Sequence, residues 1–280
     1  MTKITLSQPL VSVHWLHDHI NAKNLIVLDG TINKVFDEKQ FQIPNTRLFD
    51  IKNKFSDVSA PFPSTFPSET QFQESAHELG ITNDSTIVVY DDKGIYSSAR
   101  VWWLFKAFGF DNVAVLDGGF PEWKKAGFST EKMKLYTGES GNFEAKLKPE
   151  LIVFFDAMTM ASKTKSHTII DARSEGRFKS LEPEPRVGLR MGTIPNSVNL
   201  PFEDLLKANQ FLCKEAIAAK FQVLAKKEEP IIFSCGSGIT ACVLALGATI
   251  SGYNNISVYD GSWTEWGSLV PEENNQNNIR

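Results

Sequence analysis

The chain repeats itself, and that repeat constrains its fold more than any other feature. In the first half, Ile87-Val88-Val89-Tyr90-Asp91-Asp92 leads into a turn, a helix-like stretch with Trp102, Trp103, Leu104 and Phe105, then Val113-Ala114-Val115-Leu116-Asp117-Gly118-Gly119 and Glu122-Trp123. In the second half, Ile231-Ile232-Phe233-Ser234-Cys235 leads into a turn, a helix-like stretch, then Ile256-Ser257-Val258-Tyr259-Asp260-Gly261-Ser262 and Glu265-Trp266. The repeat extends upstream, where Leu25 to Gly30 matches Thr168 to Arg173 and Ile43-Pro44-Asn45 matches Ile194-Pro195-Asn196. Self-similarity at this scale means two copies of one unit.

Each copy alternates short, nearly continuous apolar runs with helical stretches, the pattern of parallel strands buried on both faces by helices. The fold class is therefore α/β, with two tandem domains, each a mainly parallel sheet flanked by helices on both faces. At 280 residues the chain accommodates two such domains. We place them at residues 1–135 and 150–280, joined by a polar, turn-prone linker over 136–149 that contains Thr137-Gly138-Glu139-Ser140-Gly141-Asn142. The three prolines between Pro61 and Pro67 predict an ordered surface loop, and the Asn- and Gln-rich stretch from Glu272 to Arg280 a frayed tail.

The segment with the most chemistry is Cys235-Gly236-Ser237-Gly238-Ile239-Thr240-Ala241, directly after an apolar run. In such sheets ligands sit at the carboxyl ends of strands. A cysteine at a strand-to-helix turn followed by small residues has backbone N–H groups and a helix N-terminus beside its sulfur, both of which favour an anion. Cysteines in such places titrate as low as about 3.5–7.5, against about 8.5 unperturbed, which makes them thiolates at neutral pH. The alternative is a buried cysteine acting as a small hydrophobe. The two glycines favour the nucleophile, because a core cysteine has no need of a backbone free to curl around it. Counting back from the Asp-Gly pair, the first copy has Asp92 where the second has Cys235, so the chemistry is expected in the second copy, with the first as packing partner.

Composition narrows the function classes. Apolar residues make up 42% and charged residues 22%, and the net charge of −4 gives no electrostatic reason to bind nucleic acid or an anionic membrane. Three cysteines without a Cys-x-x-Cys pair argue against a disulfide framework or structural zinc, and His14, His17, His19, His77 and His167 form no ligand set. We therefore expect no metal and no cofactor. The residues from Met1 to Pro9 lack a continuous apolar stretch, and the reading is a cytoplasmic protein.

Together these marks resemble the tandem-domain rhodanese-type sulfurtransferases, and within them the 3-mercaptopyruvate sulfurtransferases. The resemblance spans nearly the whole chain and rests on Cys235 to Ala241, Tyr259 to Trp266, and Asp171-Ala172-Arg173 followed by Gly176-Arg177-Phe178 and Glu182-Pro183-Glu184-Pro185-Arg186. It implies two rhodanese-like domains and a persulfide carried on Cys235. It implies an active-site loop whose N–H groups, from Gly236 through Ser237, Gly238 and Ile239 to Thr240, stabilise the sulfur anion. Arg177 and Arg186 would grip the carboxylate and keto oxygens of the donor, and Ser237 would donate a hydrogen bond to the departing sulfur or the substrate. The acceptor would be a thiol such as thioredoxin, or cyanide.

Two departures matter. Thiosulfate-preferring relatives carry basic residues at the second and third loop positions, whereas Gly236 and Ser237 are neutral, which favours mercaptopyruvate over thiosulfate. Family members commonly have a histidine where this chain has Gln42 or Thr193, which puts a proton relay through the first copy in doubt. A cysteine phosphatase on a related fold is disfavoured, because the loop carries no arginine to cradle phosphate. A non-catalytic sulfur relay would have no use for the arginine pair.

Overall fold

The computed structural model describes residues 3–271; the tail expected to fray, Glu272 to Arg280, lies outside the described residues. The chain divides into two compact units, one of Met1–Ser59, Phe66–Lys148 and Ala208–Phe211, the other of Ala60–Thr65, Pro149–Lys207 and Leu212–Arg280.

The first unit is built on β1 (Leu10–Val11), β2 (Leu25–Asp29), β4 (Thr46–Leu48), β5 (Thr86–Tyr90) and β6 (Val113–Leu116), in the order β1-β6-β5-β2-β4. Every neighbouring pair is parallel. The helices are α1 (Val13–His19), α2 (Glu69–Glu78), α3 (Ser98–Ala107) and α4 (Gly119–Lys125), and a small antiparallel pair joins β3 (Phe41–Gln42) to β7 (Glu131–Lys132). Strand alternation sends Val88 and Tyr90 to the face covered by α1 and α4, where they pack with Leu16, Phe120 and Trp123. Val89 points to the opposite face, against Val101 of α3. Ser12 and Ser68 start α1 and α2 by accepting the N–H of Trp15 and Gln71.

The stretch expected as a linker is tied to this unit. Phe143 is buried, its N–H and that of Asn142 donate to the Ile81 carbonyl, and Lys146 and Lys148 donate to the carbonyls of Phe108 and Ala107. Its polar composition hid the anchoring role of Phe143.

The second unit repeats the plan with β8 (Ile152–Val153), β9 (Thr168–Asp171), β10 (Ser197–Asn199), β13 (Ile231–Ser234) and β14 (Ile256–Tyr259), and carries the short strand β11 (Leu206–Lys207), whereas β12 (Gln210–Phe211) falls in the segment grouped with the first unit. The sheet order is β10-β9-β13-β14-β8, again parallel throughout. Its helices are α5 (Phe155–Thr164), α6 (Glu175–Phe178), α7 (Lys214–Gln222), α8 (Ala241–Ile250) and α9 (Ser262–Leu269). α8 is apolar on all sides and buried from Ala241 to Ala248, as a helix without a polar face must be. Met158, Ile169, Ile232, Tyr259, Trp263 and Trp266 pack together beneath α5 and α9.

Candidate active site

Cys235 follows β13 directly, and six residues, 235–240, separate that strand from α8. Cys235 is 1% exposed. The loop is clamped from below by the first turn of α9: the N–H groups of Trp263 and Thr264 donate to the carbonyls of Cys235 and Gly236, both at 2.9 Å. Ser262 Oγ accepts the N–H of Cys235 and of Gly238, both at 3.1 Å, donates to the Tyr259 carbonyl at 2.9 Å, and lies 3.9 Å from Cys235 Sγ. Ser262 holds φ at 51°, and Gly238 holds 74°, the left-handed turn that lets the loop close. Cys242, the second residue of α8, donates its thiol to the Gly238 carbonyl at 3.2 Å. Cys213 is exposed.

This arrangement corrects one expectation about the cradle. The Gly238 N–H is committed to Ser262 and does not face an incoming anion. The N–H groups of Gly236, Ser237, Ile239 and Thr240, by contrast, find no acceptor among the described residues. The Ser237 side chain, partly exposed, likewise has no hydrogen-bond partner there.

A second correction concerns the counterpart of Cys235. In the first unit Asp29 lies opposite Tyr90 and the Gly30 N–H donates to the Tyr90 carbonyl at 2.8 Å; in the second Asp171 lies opposite Ser234 and Ala172 donates to Ser234 at 2.8 Å. Phe120 N–H donates to the Asp91 carbonyl as Trp263 does to Cys235. Strand register therefore equates Cys235 with Asp91, not Asp92. The first loop, seven residues over 91–97, is one longer than the second, six over 235–240, and counting along the sequence could not see where the extra residue sits.

The two arginines reach the same loop by different routes. Ser174 caps α6 by accepting the Arg177 N–H at 3.4 Å, which fixes where that side chain leaves the backbone. Arg177 Nη2 stands 2.9 Å from where a Cβ on Gly236 would be, so a residue with a side chain there would collide with the guanidinium. Its Nε and Nη2 donate to Glu184 at 3.3 and 2.5 Å, while Nη1 meets no acceptor among the described residues. Arg186 Nη1 donates to Thr264 Oγ1, which donates to the Gly236 carbonyl at 2.5 Å. The structure thus brings Cys235, Gly236, Arg177 and Arg186 together.

Behind Arg177 is a buried ion network that sequence reading missed in part. Arg173 is fully buried, holds Asp171 through Nε and Nη2 at 2.7–3.1 Å and donates Nη1 to Glu184 at 2.7 Å. Its guanidinium carbon lies 4.8 Å from the centre of the Trp263 ring. Glu184, Ser262 and Thr264 stood out in the sequence only as parts of motifs. Ser262 and Thr264 act on a loop 24–28 residues upstream and Glu184 on two arginines 7 and 11 residues upstream, contacts that no local pattern announces. Gln42, at the position where a relay histidine was weighed, is buried and donates to the Thr46 carbonyl and to Glu131, both at 3.2 Å. No helix of the described residues is long and apolar enough to cross a membrane.

Comparison with known proteins agrees with this geometry. The Rhodanese-like domain family matches residues 12–126 and 156–269. The 3-mercaptopyruvate sulfurtransferase of Mus musculus is 36% identical, with 93% of this chain and 92% of that protein covered. The thiosulfate sulfurtransferase of Mus musculus is also 36% identical, over 98% of this chain and 96% of its own. Among solved structures, SseA from Escherichia coli, described as showing the rhodanese fold of 3-mercaptopyruvate sulfotransferases, superimposes with a TM-score of 0.80 at 30% identity, covering 92% of this chain and 99% of that one. The chain therefore belongs to the rhodanese family, as a tandem-domain sulfurtransferase related to the 3-mercaptopyruvate sulfurtransferases.

Proposed function

We propose that this sulfurtransferase takes sulfur from 3-mercaptopyruvate through a persulfide on Cys235. The Cys235 thiolate attacks the donor sulfur, an S–S bond forms and the C–S bond breaks. The released electron pair leaves as the enolate of pyruvate, which takes up a proton to give pyruvate. An acceptor thiolate, such as that of thioredoxin, or cyanide then attacks the outer sulfur and returns Cys235 as thiolate. The observation that carries this reading is the set of four loop N–H groups without an acceptor around a cysteine, since preorganised donors stabilise a singly charged sulfur as well before transfer as after it.

Arg177 and Arg186 are the proposed grip on the carboxylate and keto oxygens. Support comes from the open Nη1 of Arg177 and the tether of Arg186 to the loop through Thr264. Arginine suits this task because its planar fork meets a carboxylate with two parallel hydrogen bonds. Ser237 is the proposed donor to the departing sulfur. A second reading, thiosulfate as donor, is favoured by the equal identity to a thiosulfate sulfurtransferase. The neutral side of the loop at Gly236 and Ser237 favours the first.

A side-by-side assay of both donors, with mass analysis for an adduct of about 32 Da on Cys235, tests the reading. Faster turnover with mercaptopyruvate and an adduct on Cys235 are expected. Turnover without any adduct on Cys235 would defeat it.

A further inference from the structure

The carboxylate of Glu184 is 1% exposed and serves two guanidinium groups at once. Oε1 accepts from Arg173 Nη1 at 2.7 Å and Arg177 Nε at 3.3 Å, and Oε2 accepts from Arg177 Nη2 at 2.5 Å. Arg173 is already matched by Asp171, both side chains at most 1% exposed. The four charges Asp171, Arg173, Glu184 and Arg177 sum to zero. Glu203 adds a further negative charge nearby: burial raises its pKa, and Arg177 acts in the opposite direction.

We propose that Glu184 is a specificity-determining positioning residue, which orients Arg177 beside Gly236 and cancels its net charge, so that the site selects a monoanionic carboxylate donor over a dianionic one. The inference rests on the reading of Arg177 as part of the donor grip. Two consequences follow from the geometry. Glu184 engages the Nε–Nη2 edge of Arg177 and leaves the Nη1 end without an acceptor among the described residues, so the open donors have one fixed direction. A planar carboxylate gains directed hydrogen bonds from such a fork even when the surrounding charge is balanced. A dianion such as thiosulfate depends on a larger excess of positive charge to offset its larger loss of hydration than Arg186 can supply once the cluster around Arg177 is balanced.

The test compares donor selectivity in the full chain for the wild type, Glu184→Gln and Glu184→Asp, with thermal melting as a fold control. Glu184→Gln keeps an oxygen for one guanidinium and removes the negative charge. It is expected to shift the ratio of kcat/KM values toward thiosulfate by about tenfold, between the aqueous and near-surface limits for one unit charge a few ångström away. Glu184→Asp keeps the charge and withdraws the carboxylate. It should raise KM for mercaptopyruvate while leaving the thiosulfate KM and the effect of sulfate as an inhibitor nearly unchanged.

Equal loss with both donors in a folded Glu184→Gln protein would overturn the proposal, because a merely structural role moves both alike. Should Glu184→Gln fail to fold, the wild type still decides, through inhibition by pyruvate and by sulfate at equal ionic strength. Pyruvate is expected to inhibit more strongly; stronger inhibition by sulfate would overturn the proposal. Arg177→Ala separates this failure from failure of the donor grip. If it leaves the mercaptopyruvate KM unchanged, the grip itself is wrong, whereas a raised KM together with an unshifted donor ratio in Glu184→Gln defeats the Glu184 proposal alone.

Discussion

The loops after β5 and β13 are the same structural device with different contents. In the first unit the Asp91 carboxylate accepts the N–H groups of Lys93, Tyr96 and Ser98 at 2.8–2.9 Å and the Ser98 hydroxyl at 2.6 Å. In the second, Cys235 stands at the same register position and four loop N–H groups lack an acceptor among the described residues. The first loop closes on an anion that the chain itself supplies, and the second leaves four donors without an acceptor among the described residues, as the proposed sulfur anion requires. The difference extends below the loop. Gly119, at φ 52°, has no room for a side chain, since a Cβ there would lie 2.5 Å from the Asp91 carbonyl and 2.6 Å from that of Gly94. Ser262 occupies the equivalent place at φ 51°, and its hydroxyl takes up the N–H groups of Cys235 and Gly238. A loop one residue longer fills with backbone the space that a serine side chain fills in its counterpart.

The most severe way to break this comparison is Cys235→Ser, which should reduce sulfur transfer by more than about ten-thousand-fold while leaving thermal unfolding nearly unchanged, since removing a nucleophile removes the whole covalent route. Persulfide detection by mass and a melting curve check both halves; appreciable turnover by the folded variant would mean the sulfur is carried elsewhere. Arg177→Ala or Arg186→Ala is next, with an expected loss of about a hundredfold in kcat/KM for mercaptopyruvate and a smaller one for thiosulfate, as when charge-assisted bonds to a substrate are removed. Equal losses would remove the case for a carboxylate grip.

Asp91→Ala addresses the first unit. It strips the acceptor from three N–H groups, and stability in urea should fall by about 3 kcal/mol, at about 1–3 kcal/mol for each unsatisfied buried donor. An unchanged urea midpoint would show that the Asp91 carboxylate does not hold its loop. Ser237→Lys, which gives the second loop a cation, should shift the donor ratio toward thiosulfate by about threefold to tenfold; an unchanged ratio would place specificity outside the loop.

The smallest effect concerns Asp117, which follows β6 and accepts the Phe211 N–H at 2.9 Å. Burial, against that hydrogen bond and with Glu122 nearby, raises its pKa from 3.8 to about 6. The folded state then binds more protons than the unfolded one between about pH 4 and 6, so this group costs stability as pH rises through that window, and the cost is complete above pH 6. Asp117→Asn should raise the melting temperature at pH 7–8 by a few degrees and flatten its slope across that window. An unchanged slope would show that Asp117 titrates alike in both states.

Much of this was legible before any coordinates. Period and strand-like runs identified a duplicated α/β chain, and the cysteine loop pointed to the second copy as the place to look for chemistry, because local pattern and burial are written into consecutive residues. The identity of the first copy's counterpart was not legible: Asp92 was one residue away from the correct Asp91, since a single inserted residue changes register without changing composition. The cradle was read as a run of five N–H groups, yet the Gly238 N–H is taken by a hydroxyl from α9.

What the sequence alone determined, then, was the repeat, the alternation of strand and helix, the position of the thiol at a strand end and the absence of cations in its loop. Tertiary structure decided which N–H groups remain available, which edge of Arg177 stays open, and that Glu184 joins two arginines. Those outcomes follow from hydrogen bonds between side chains dozens of residues apart or on different elements, and such bonds are fixed only when packing brings each donor within reach of one acceptor.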